Sequence, residues 1–139
     1  MFSLPIRVYW EDTDAGGVVY HAQYLAFMER ARSEWMRAHG YGQELLRGEY
    51  GLLFVVRAMT LDFLRPARLD DALDASVRLQ QCRRASLVFR QAVQRDGEQL
   101  VAATVRVAAV HAERFHPTAI PQPLFDQLKA LEHPYDDAR

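Results

Sequence analysis

Two aspartates, two adjacent glycines and a histidine fall within the ten residues from Asp12 to His21, DTDAGGVVYH. An apolar stretch leads into them, and a segment with helical periodicity follows. A helix start presents unpaired backbone N–H groups and the positive end of the helix dipole, so it can polarise a carbonyl oxygen. A carboxylate held beside it can then attack the carbonyl carbon, which makes Asp14 the candidate nucleophile or base for acyl transfer. Gly16 and Gly17 would let a ligand approach backbone N–H groups closely. His21 would orient the oxyanion or a water, and Tyr20 and Tyr24 are candidates to line the substrate pocket.

Other readings compete for the same residues. A calcium loop starting at Asp12 needs a carboxylate at its twelfth position, which is Gln23. Asp-x-Asp after a strand also suits a haloacid dehalogenase-type phosphotransferase, but that chemistry expects a parallel sheet, and this chain is patterned for antiparallel strands. A third reading makes Asp12 and Asp14 plain helix caps. His21 has a similar alternative as an exposed structural residue, and Tyr24 as core. The other histidines, His39, His111, His116 and His133, show no metal-ligand spacing, so no metal is expected. Cys82 lacks a neighbouring acid-base pair and reads as a small structural residue.

The elements that position these residues follow from periodicity. Ile6, Val8 and Trp10 alternate with Arg7 and Tyr9, predicting a half-buried strand over 4–10. Tyr24, Leu25, Met28, Ala31, Trp35 and Met36 recur at helical spacing up to a stop near Gly40. After a loop at 41–51 the period falls to two. Strands are predicted around Met59–Phe63, Leu73–Leu79, Leu87–Gln94 and Gln99–His111, with Asp96-Gly97 as a hairpin turn. The last strand is apolar on both faces and must sit centrally or be covered by a partner. A short helix closes the chain at about 122–131, before a polar tail. Strand, long helix, then four strands predicts an α+β fold with an antiparallel sheet on one principal helix.

The chain has 139 residues, one cysteine and a formal charge of −1. That suits a single domain over 1–139 with no need of a disulfide. The absence of a basic excess argues against a nucleic-acid partner, and no apolar run reaches the length of a membrane span. A cytoplasmic location is expected. Lys129 is the only lysine among 17 basic residues; arginine suits phosphate contact, and high arginine usage equally reflects genomic base composition.

The stretch EDTDAGGVVYHAQYLAFMERARSEWM resembles the signature of the 4-hydroxybenzoyl-CoA thioesterase-like branch of the hotdog superfamily. Within it the similarity is to the YbgC-type acyl-CoA thioesterases associated with the Tol-Pal envelope system. LDFLRPARLDDAL, residues 61–73, resembles a second segment of that family, and the likeness extends over about residues 4–112. The resemblance implies a hotdog fold, a five-stranded antiparallel sheet wrapped around the long helix. It also implies homodimers or homotetramers with acyl-CoA at the subunit interface, and it assigns catalysis to Asp14 with His21 in the site. No cofactor is implied beyond the coenzyme A of the substrate. Arg57, Arg65, Arg68, Arg83 and Arg84 are then candidates for its phosphates. Two rivals keep the fold: an acyl-thioester hydratase or dehydratase, and a non-catalytic oligomer that binds acyl carrier protein or envelope-biogenesis proteins.

Overall fold

Strand β1 (Phe2–Arg7) turns Phe2, Leu4 and Ile6 toward the core and leaves Ser3, Pro5 and Arg7 exposed. The computed structural model describes residues 1–134, and the polar tail at 135–139 lies outside the described residues. β1 stops three residues short of Trp10, the predicted strand end. The reason is a single 3-10 turn over Trp10–Asp12, in which the Asp12 N–H donates to the Tyr9 carbonyl at 3.0 Å and the Asp12 carboxylate accepts the Tyr9 N–H at 2.8 Å. This local bonding competes with the ladder, and it leaves Trp10 81% exposed.

Helix α1 (His21–Ala38) buries Tyr24, Phe27, Met28, Ala31, Arg32, Trp35 and Met36. The stripe is rotated slightly from the predicted one: Phe27 is fully buried, while Leu25 is only half-buried. Gly40, at φ +87°, ends the helix. Its N–H donates to the Arg37 carbonyl at 3.0 Å and that of Tyr41 to the Met36 carbonyl at 2.8 Å, a Schellman arrangement that needs the left-handed conformation glycine accepts. The segment expected as a loop at 41–51 instead holds a short helix α2 (Gln43–Leu45) running into a π turn (Leu46–Tyr50).

The four predicted strands form as β2 (Leu52–Phe63), β3 (Ala72–Cys82), β4 (Ser86–Arg95) and β5 (Glu98–His111). With β1 they make one antiparallel sheet in the order β1-β3-β4-β5-β2, packed on α1 as the hotdog arrangement requires. Asp96 and Gly97 both take positive φ, 50° and 81°, the turn that matches strand twist. β5, apolar on both faces, is interior between β4 and β2. β2 is an edge strand of twelve residues.

Helix α3 (Gln122–Lys129) has Pro123 in its first turn and buries Leu124 and Leu128 completely. A polar latch holds its end to β3. The Glu132 carboxylate accepts the Cys82 N–H at 2.6 Å and pairs with Lys129 at 3.0 Å, and the His133 N–H donates to the Leu79 carbonyl at 2.8 Å. Between β2 and β3, residues 64–71 are fixed in the same manner. Leu64 and Arg65 donate to the Leu100 carbonyl, and Asp71 accepts the Arg68 N–H at 2.8 Å and pairs with Arg95 at 2.7 Å.

Two measurements check these attachments. Burial pushes the Cys82 thiol up to about 11, with the Glu132 charge adding and Lys129 opposing. The thiolate is the reactive form, so Cys82 should react with an aromatic disulfide reagent at pH 8 only as fast as the latch opens, and at the ordinary thiol rate in denaturant. Burial alone would raise the Asp71 carboxyl, but the Arg68 N–H and the Arg95 guanidinium outweigh it and the net displacement is downward. Its stabilisation is therefore full above the unfolded carboxyl value of about 4 and is lost as pH falls through the lower folded value. Asp71→Asn should lower the urea midpoint at pH 7 and differ less from the parent at pH 3; a pH-independent gap would refute the assignment.

Candidate active site

Residues 12–20 form a narrow hairpin that returns the chain to the helix start. The Tyr20 N–H donates to the Asp12 carbonyl at 2.9 Å, Thr13 bridges Val19, and the Asp14 N–H donates to the Val18 carbonyl at 2.9 Å. The tip is a tight turn in which the Gly17 N–H reaches the Asp14 carbonyl at 3.0 Å. Gly17 sits at φ +80°, where a side chain would be strained.

Within that tip, Asp14 Oδ1 accepts the Gly16 N–H at 2.8 Å. This Asx turn fixes the carboxylate through one oxygen and leaves Oδ2 without a hydrogen bond among the described residues. A Cβ on Gly16 would lie 3.2 Å from Oδ1, a contact tight enough that the carboxylate would have to shift by a few tenths of an ångström. The two aspartates therefore differ in kind. Asp12 is 4% exposed and is spent on the Tyr9 N–H, whereas Asp14 is exposed.

Neither carboxylate caps α1. Tyr20 occupies the N-cap and makes no side-chain cap bond, so the first-turn N–H groups at His21 and Ala22 point outward without an intrahelical acceptor. The plain capping reading of the acidic turn is thus not the arrangement found. His21 is exposed, with its ring 4.5 Å from that of Tyr20 and edge-on to Phe63 at 6.3 Å.

Tyr20 is 48% exposed and Phe63 51%, so an aromatic wall stands beside the turn. Phe63 was legible only as the last apolar residue of its strand. Tyr24 lies beneath this wall, 4% exposed, and its hydroxyl accepts the Ala67 N–H at 2.9 Å. Burial raises its pKa despite that backbone bond. It occupies the core and ties residues 64–71 to the helix.

The five arginines separate by topology. Arg68 bridges Val18 and so borders the acidic turn, and Arg65 is paired with Glu98 at 2.8 Å. Arg57 lies at the bulge of β2. Arg83 and Arg84 follow β3 at the opposite end of the sheet, roughly 35 Å from the turn of the same chain. Among the described residues no group of three or more His, Cys, Asp or Glu side chains is placed to hold a metal ion.

One cleft, of about 370 Å³, opens elsewhere: along α1 from Glu29 to Met36 and against Phe54, Val56 and Phe89. It begins about 12 Å down the helix from His21. The carboxylate and the cleft are thus separate features of a single chain.

Residues 16–102 match the thioesterase superfamily. The chain is 43% identical over 132 residues to "Acyl-CoA thioesterase YbgC" of Haemophilus influenzae, spanning 95% of this chain and 94% of that protein. It is 45% identical over 130 residues to "Acyl-CoA thioester hydrolase YbgC" of Escherichia coli, spanning 93% and 96%. A probable thioesterase from Bartonella henselae has a solved structure that superposes with a TM-score of 0.82 at 40% identity, covering 86% of this chain and 98% of that one. With a hotdog sheet, a carboxylate oriented in the hairpin before an uncapped helix start, and relatives matched over nearly their whole length, this chain belongs to the thioesterase superfamily, in its YbgC branch.

Proposed function

We propose that the chain hydrolyses acyl-CoA to a free carboxylic acid and coenzyme A. The observation that carries this reading is the Asp14 carboxylate fixed by the Gly16 N–H within the hairpin that leads into an uncapped α1 start. The names of the relatives, acyl-CoA thioesterase and thioester hydrolase, support the substrate class.

The thioester carbonyl oxygen accepts from the first-turn N–H groups at His21 and Ala22, which stabilise negative charge as it develops; loss of one such donor typically costs about a hundredfold or more in rate. Asp14 Oδ2 either attacks the carbonyl carbon or takes the proton from an attacking water. Both routes break the carbon–sulfur bond and release the coenzyme A thiolate, which picks up a proton; in the first, water then hydrolyses the anhydride formed with Asp14, freeing the acid and restoring the carboxylate. A thiolate leaves readily, since the parent thiol has a pKa of about 8.5. His21 orients the oxyanion or the water, and Tyr20 and Phe63 flank the acyl group. Arg68, beside the turn, is the best placed of the arginines for a coenzyme A phosphate.

A second copy completes the site in this reading. The β2 edge is twelve residues long and carries exposed Val56 and Phe63, and an exposed edge of that length is a template for strand pairing. Pairing there gives the dimer, and a tetramer follows by association of dimers. Substrates built on coenzyme A place the enzyme in the cytoplasm.

The test is Asp14→Asn, which keeps shape and removes charge. Thiol release from short-chain, long-chain and aromatic acyl-CoA esters should fall by roughly 10² to 10⁴ while circular dichroism stays native. Parent-level turnover by the folded variant would overturn the role given to Asp14.

A further inference from the structure

Asp12 makes three hydrogen bonds that run to two different parts of the chain. Its carboxylate accepts the Tyr9 N–H at 2.8 Å and its own N–H donates to the Tyr9 carbonyl at 3.0 Å, which together close a ring over residues 9–12 where the chain leaves β1. Its carbonyl accepts the Tyr20 N–H at 2.9 Å, which ties that ring to the N-cap of α1. Asp14 follows two residues after Asp12, and the free first-turn N–H groups begin one residue after Tyr20. Both halves of the site are therefore anchored at one residue.

The Asp12 side chain serves that anchor by its shape. It is 4% exposed, and among the described residues no basic group lies within ion-pair distance of it. Committed to the Tyr9 N–H, it makes no bond to the first turn of α1, whose N–H groups stay available to a substrate oxygen. Removing the carboxylate leaves the ring closed by one bond instead of two and strands the Tyr9 N–H. An asparagine carries a carbonyl oxygen on the same side-chain frame and accepts the same N–H, so it keeps the ring while losing the charge. Asp14 differs in this respect, because an amide there can neither attack a thioester nor take a proton from water.

We propose that Asp12 is a positioning residue for thioester hydrolysis, holding the Asp14 hairpin and the α1 start in register through the hydrogen bond its side chain accepts and not through its charge. The role in turnover rests on the function proposed above; the mechanical coupling of residue 12 to residue 20 does not. A misplacement of about 1 Å at a reacting centre costs on the order of a hundredfold in rate. Loosening the ring therefore acts on kcat, while KM, set by substrate contacts made elsewhere, changes little.

The test compares Asp12→Ala, Asp12→Asn and Asp14→Asn in thiol release from acyl-CoA, with amide hydrogen exchange at Tyr9 and Tyr20 as a readout that needs no turnover. Asp12→Ala should lower kcat about ten- to a hundredfold, leave KM within a factor of about three, and speed exchange at Tyr20. Asp12→Asn should restore both kcat and slow exchange to near the parent, while Asp14→Asn stays inactive. Glu132→Gln loosens the α3 latch at the other end of β3 and controls for general loss of stability; it should lower the urea midpoint and leave kcat unchanged. The proposal is overturned if folded Asp12→Ala keeps the parent kcat or the parent exchange at Tyr20, or if Asp12→Asn loses as much as Asp12→Ala. Should Asp12→Ala fail to fold, Asp12→Asn decides: near-parent turnover and slow Tyr20 exchange support the proposal, and loss of either overturns it. Parent-level turnover by Asp14→Asn would count against the chemistry given to Asp14 and leave the role of Asp12 standing. A parent that releases no thiol would refute the hydrolysis, and exchange at Tyr20 would still decide the coupling.

Discussion

The hydrogen bond from the Tyr20 N–H to the Asp12 carbonyl, 2.9 Å long, is the constraint on which the rest of the site depends. It folds residues 12–20 back on themselves, so that a strand leaving the sheet and a helix entering the core are joined through a hairpin whose tip carries Asp14. Nothing about a carboxylate in a loop makes it chemically useful. Here its position is set by backbone pairing on both sides and its rotation by the Gly16 N–H, in a hairpin that leads into a helix start that no side chain caps.

That hairpin is itself held from outside. The Val19 N–H donates to the Ala67 carbonyl at 2.8 Å, and the Ala67 N–H donates to the Tyr24 hydroxyl, so residues 64–71 clamp both the turn and the first turns of α1. Asp71 and Arg95 fasten the clamp to β4. For the hydrolysis proposed above, such preorganisation would make electrostatic stabilisation effective, because groups already in place need not be reoriented as charge develops. The core supplies the platform: Phe27, Met28 and Ala31 are fully buried beneath the sheet, which fixes the direction in which the helix start points.

Much of this arrangement was legible in the residues. Asp14, Gly16 and Gly17 could be read as a tight turn before a helix, and the strand order with its Asp96-Gly97 hairpin followed from period and turn chemistry. What was not legible depends on distant partners. Trp10 looked like a strand residue because alternation is scored locally, whereas its exposure results from Asp12 closing a turn around Tyr9. Leu25 and Phe27 are both apolar within one turn, and only the packed sheet decides which faces inward. No local pattern marks Arg32 as buried; its partner Gln91 lies 59 positions later on β4. Tyr24 likewise finds its partner 43 positions away. Short-range pattern thus located the carboxylate and the helix, while contacts across the sheet determined which polar groups were spent on structure.

The measurement that bears most directly on the central claim is a crystal structure with an acyl-CoA analogue whose thioester sulfur is replaced by methylene, so that it binds and is not cleaved. The account predicts the analogue's carbonyl carbon within about 3.5 Å of Asp14 Oδ2, its oxygen in hydrogen-bond range of the His21 or Ala22 N–H. A carbonyl seated away from the 14–22 segment, with Asp14 still bonded only to Gly16, would contradict it.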